Sequence, residues 1–159
     1  MEGIGVTGFF RVGLYGPKGE VQGLTDYIPN VITAVGFRDF IVANVGSSVG
    51  GATSAKVQAM AFGGTTMTGA GAPTSAMTAL SSELTRVTAA QTFSGNGTLE
   101  ATAVWATGSA NTGDVGSVAL FGTSSATTGS ACAIASFASS QKASDQTLSI
   151  TYQLRFASA

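Results

Sequence analysis

Hydrophobic and polar positions alternate with period two over most of this chain, which is the spacing of half-buried β-strands. The first clear run is FFRVGLY, residues 9–15, with Phe10, Val12 and Leu14 on one face. GPKGE follows as a turn in which Pro17 pre-sets the bend, and Val21 to Tyr27 returns as a second strand, giving an N-terminal hairpin. The period then changes. In PNVITAVGFRDFIVANVG, Ile32, Val35, Phe37, Phe40, Ile41 and Val45 approximate a helical face, with Asn30 as the N-cap and an end near Gly46. KVQAMAFGG reads as the next strand, followed by a long Gly/Thr/Ala loop over 63–77.

RVTAAQTFSGNGTLEATAVW reads as strand, Asn96-Gly97 turn and strand, with Leu99, Ala101, Ala103 and Trp105 sharing a face. VGSVALFG and SACAIASFAS add two shorter strands. The last segment alternates most regularly: Leu148, Ile150, Tyr152, Leu154 and Phe156 against Thr147, Ser149, Thr151, Gln153 and Arg155. About eight strands separated by small polar turns, with one short helix after an N-terminal hairpin, predict a mainly β, jelly-roll-like β-sandwich. No fixed-period repeat and no linker divides the chain, so 1–159 is expected to be one domain.

Composition narrows the chemistry. The 159 residues contain no His, which excludes Ser-His-Asp and Cys-His catalysis and any imidazole base. GSSVG, residues 46–50, matches the G-x-S-x-G nucleophile elbow at Ser48, but a helix precedes it and no His can take the hydroxyl proton. GGTTMTGAGAP lacks the G-K-[ST] of a phosphate loop. Asn96-Gly97-Thr98 is formally a glycosylation sequon, better explained as a turn. The single Cys, Cys132, permits neither an internal disulfide nor a Cys-based zinc cluster and reads as a small buried hydrophobe. No cofactor is expected.

A pair of carboxylates would suffice for glycoside hydrolysis. The acidic residues, Glu2, Glu20, Asp26, Asp39, Glu83, Glu100, Asp114 and Asp145, are scattered, and a non-enzymatic role is the stronger reading. Trp105, with Phe10, Phe62, Phe93, Tyr152 and Phe156, sits at strand positions where core packing is expected and a sugar-stacking platform is the alternative.

Formal net charge is -1 and only 9% of residues are charged, so nothing favours a nucleic-acid partner. No apolar run is long enough for a membrane span, and MEGIGVTGFF lacks the regions of a secretory leader. Synthesis in a cytoplasm is expected. A surface so poor in charge suits burial against other subunits.

Against this scarcity, TALSSELTR (78–86) places Glu83 and Arg86 three residues apart. That spacing predicts a short helical turn with both side chains on one side, free to pair with each other or with backbone groups. Leu80 is expected in the core. Glu83 and Arg86 are then a structural clamp, anchoring the long loop to a strand that begins near Arg86.

Two stretches resemble a loose family of tailed-bacteriophage virion proteins. Asn30 to Gly36 resembles its N-x-I-T-x-x-G helix opening, and Thr78, Leu80, Glu83 and Arg86 resemble its T-x-L-x-x-E-x-x-R element. The order also matches: a hairpin before the helix, a strand ending in a Gly-Thr loop (AFGGTT), then strands to the end. The loop departs from the family's usual Gly-x-Gly-Thr and is longer. The resemblance implies a non-enzymatic β-sandwich of a virion, assembled in the host cytoplasm. It would be a capsid decoration (cement) protein, binding the major capsid protein and its own copies as a homotrimer, or else a tail, collar or fibre component that binds a host glycan.

Overall fold

The computed structural model describes residues 3–45, 56–93, 95, 97–109, 113–125 and 128–158. GSSVG with Ser48, and Asn96 of the turn and sequon, lie outside the described residues.

Among the described residues, eleven strands form two antiparallel sheets, mainly β and sandwich-like. Sheet A runs in the order β2 (Val21–Leu24), β1 (Ile4–Tyr15), β11 (Thr147–Ser158), β8 (Thr98–Trp105), β7 (Ala90–Phe93), with β3 (Ile28–Pro29) also on β1. Sheet B runs β4 (Val31–Ile32), β10 (Ala131–Lys142), β9 (Gly113–Phe121), β5 (Ala59–Gly63), β6 (Glu83–Thr88). The predicted N-terminal hairpin is β1–β2, with Leu14 opposite Gly23.

The alternation reads directly as packing in sheet A. Phe10 pairs with Tyr152, Val12 with Ile150 and Leu14 with Leu148, and all six face inward and are buried. Ala101, Ala103 and Trp105 continue these rows on β8. Sheet B contributes Met60, Phe62, Val118, Leu120, Ala133 and Ala135 to the same core. Trp105 meets Phe62 edge to face, with ring centroids 5.3 Å apart.

The middle of sheet B, β5 and β9 with the start of β10, is buried on both faces, so β5 and β9 show no exposed position. Its outward positions include the small residues Ala61, Ala119 and Ala131, and the 64–82 loop settles Met67 and Leu80 onto them beside Phe121 and Ile134. The long loop is therefore a cover over a second, smaller core.

Three expectations change. The helix spans residues 34–45 and is wound as a π-helix over Gly36–Val42. Val31 and Ile32 belong to β4, so Asn30 is not its N-cap. Thr33 caps it instead: its Oγ1 accepts from Gly36 N at 3.0 Å and donates to Ala131 O at 2.7 Å. Phe37, placed on the predicted apolar face, is exposed. The strand predicted from Arg86 through Phe93 breaks at Ala89, whose N–H donates to Gln58 O. Its two halves lie on different sheets, so the chain turns the sandwich edge there.

Candidate functional site

TALSSELTR forms no helical turn. Ser82 takes a positive φ of 53° and β6 starts at Glu83. In a regular strand, residues three apart point to opposite faces. Here Phe62 opposes Thr85 while Gly63 opposes Glu83, so Leu84 is an extra residue, a β-bulge. The bulge reverses the alternation and brings Glu83 and Arg86 to the same side.

Arg86 pairs with Glu83 through both edges of its fork, Nε to Oε1 and Nη2 to Oε2, each at 2.9 Å. Its Nη1 donates to the carbonyls of Thr123, Ser125 and Thr128 at 3.3, 2.7 and 2.9 Å. The guanidinium carbon lies 3.4 Å from the centre of the Phe121 ring. The side chain is only 3% exposed. The structure thus ties Arg86 to the β9–β10 loop, not to the long 63–77 loop. Leu80 is buried among Ala61, Met67 and Phe121.

The long loop has fastenings of its own. Thr66 Oγ1 donates to Phe137 O at 2.9 Å, and Met67 N–H donates to Ser136 Oγ at 2.7 Å. Ala131 N–H donates to Thr78 O at 2.8 Å. Gly69–Gly71 forms a single 3-10 turn with no lysine beside it. Two grooves border this cover. One, of about 450 Å³, is lined by Thr66, Met67, Met77 and Leu80; the other, of about 420 Å³, by Val31, Pro73, Ile134 and Phe137. Neither lining includes a charged side chain.

Trp105 and Tyr152 are each 1% exposed, which overturns the sugar-stacking platform considered for them. Cys132 is buried under the helix, its Sγ donating to Ser130 O at 3.4 Å. Burial pushes the thiol from 9.0 up to about 12, opposed by a backbone hydrogen bond at Gly122. The folded protein therefore keeps this proton in a pH window, from about 9 to about 12, in which the unfolded chain releases it. Its stabilising contribution is complete below that window and is lost as pH rises through it. Two results are expected: no labelling of the native thiol by a disulfide reagent at pH 8, and a shallower alkaline fall in urea midpoint for Cys132→Ala. Tyr152, raised by burial as well, keeps part of the fall in place.

Sequence reasoning passed over two groups. Thr33 and Gly36 stand in the sequence only as part of the family-like motif, yet they seat the helix on β10. The outer face of sheet A also gathers Phe9, Arg11, Tyr27, Glu100, Gln153 and Arg155. The only signal for that cluster was the polar phase of the alternation in β1, β8 and β11.

Among the described residues, no group of three His, Cys, Asp or Glu is placed to hold a metal ion, and no helix is long and apolar enough to cross a membrane. Comparison with protein-family models, with curated proteins and with solved structures finds no match to this chain.

Proposed function

We propose that this chain is a non-enzymatic structural protein of a tailed-bacteriophage virion. In this reading it is a capsid decoration protein that binds the major capsid protein, associates with its own copies as a homotrimer and cements contacts between capsomers. It is made in the host cytoplasm and needs no cofactor, nucleic acid or membrane. The observation that carries the reading is the use made of the two family-like motifs. Thr33 and Gly36 fasten the helix to β10, while Glu83 and Arg86 fasten the β9–β10 loop. These residues hold a helix and a loop in place on sheet B, as a body that must present a fixed surface to several neighbours requires.

The uncharged grooves beside the long loop support the same reading, because such a surface loses little on being buried against a shell subunit. The jelly-roll-like form belongs to the proposal too. The steps β6 to β7, β8 to β9 and β10 to β11 each carry the chain between sheets, as such wrapping requires, although the hairpins β5–β6 and β9–β10 keep neighbours within one sheet.

The test is co-sedimentation of purified protein with expanded capsids of the parent phage, alongside light scattering of the protein alone. A trimer that saturates capsids at a fixed ratio is expected. A monomer that leaves capsids bare overturns the proposal and favours the second reading, a tail, collar or fibre position.

A further inference from the structure

Of the four arginines, Arg38 and Arg86 are ion-paired, with Asp39 and Glu83. Arg11 and Arg155 have no ion pair among the described residues, and both lie on the outer face of sheet A. Their guanidinium groups share one aromatic ring: the Arg11 carbon is 5.4 Å and the Arg155 carbon 5.7 Å from the centre of Tyr27. Arg155 also lies 4.8 Å from the Phe9 ring.

The surrounding polar groups are fixed in orientation. Arg155 Nη2 donates to Gln153 Oε1 at 2.6 Å, so the amide nitrogen of Gln153 points the other way. It donates to the Tyr27 hydroxyl at 2.9 Å and to Glu100 Oε2 at 2.8 Å. The row Glu100, Gln153, Phe9 is set by strand register across β8, β11 and β1. Arg11 is the exception to this order. Its side chain makes no hydrogen bond among the described residues, and its Nε is buried without a partner. A half-buried guanidinium with no acceptor is costly, and its planar fork matches a carboxylate.

We propose that this face binds an acidic sugar, with Arg11 and Arg155 taking the carboxylate and Glu100 and the Tyr27 hydroxyl taking ring hydroxyls. Glu100 decides the class. It accepts hydroxyl donors, but beside it a phosphate dianion or a run of acidic side chains meets repulsion that one carboxylate on a hydroxyl-rich ring largely escapes. This inference stands apart from the decoration reading, since such a face works wherever the chain sits in a particle.

The full chain is titrated with methyl galacturonoside, which has a single carboxylate, with its methyl ester, with inorganic phosphate and with a hexaglutamate peptide, followed by amide NMR shifts. The expected result is binding of the free-acid galacturonoside alone, with shifts centred on residues 9–11, 27, 100 and 153–155. Arg11→Gln and Arg155→Gln should each weaken it by about tenfold or more, the scale of losing a charge-assisted hydrogen bond. The urea midpoint of Arg11→Gln should not fall below the wild-type value, because that side chain holds no hydrogen bond among the described residues and its buried Nε is a cost to the fold. Equal binding of the ester, tighter binding of phosphate or peptide, undiminished binding by both variants, or no binding of the acid each overturns the proposal.

Discussion

Arg86→Ala should lower the free energy of unfolding by about 3–5 kcal/mol, the cost of breaking a buried ion pair. The loss has two sources. Glu83, with a side chain 18% exposed, is left without its bidentate partner. The carbonyls of Thr123, Ser125 and Thr128 lose the donor they share. Residues 123–125 and 128 should then exchange amide protons faster than the strands they join, while β1 and β11 keep their relative protection. Glu83→Ala should cost a similar amount from the other side, by stranding a guanidinium that is almost wholly enclosed. Arg86→Lys should recover little, since an ammonium cannot grip both carboxylate oxygens and reach the loop carbonyls together. Urea denaturation of the three variants decides the matter. Midpoints unchanged from wild type would remove the clamp from this account.

Gly36→Ala should be nearly as damaging, at about 3 kcal/mol, the upper part of the usual range for overpacking. A Cβ on Gly36 would lie 2.1 Å from the carbonyl oxygen of Cys132 and 2.9 Å from its carbon. Both atoms are backbone in a strand of a two-face-buried sheet, so no side chain can swing aside. The helix must lift from β10. Lifting it also separates Thr33 Oγ1 from Ala131 O, a buried hydrogen bond. It exposes Cys132 as well, so labelling of the thiol at pH 8 gives a second readout of the same event. A Gly36→Ala protein with the wild-type melting temperature and a protected thiol would show that the helix tolerates a wider seat than its geometry implies.

Much of the fold was legible because its strongest signal is local. Phe10, Val12 and Leu14, and Leu148, Ile150 and Tyr152, alternate in sequence and fill the core, since the central strands β1 and β11 of sheet A have one face on the core and the other turned outward. In sheet B the strands β5, β9 and β10 were legible as well, but not that two of them are covered on both faces. β5 and β9 are covered on both sides, so their outward positions are as apolar as their inward ones and carry no phase. The helix start was misplaced for a related reason. Asn30 and Thr33 are both acceptable caps, and only the position of Ala131 O, 98 residues away, selects Thr33.

The clamp divides in the same way. Sequence singled out Glu83 and Arg86 as a rare charged pair and assigned them a helical turn, the ordinary way for residues three apart to meet. A bulge at Leu84 achieves the same meeting within a strand, and a bulge depends on the partner strand, which sequence does not display. What the sequence by itself determined is which residues are apolar, in what phase, and that chemistry based on imidazole is absent. Which loop Arg86 holds, which cap the helix uses, and that Arg11 and Arg155 share one ring were decided only by tertiary structure. Each rests on groups far apart in the chain, brought within a few ångströms by strand pairing.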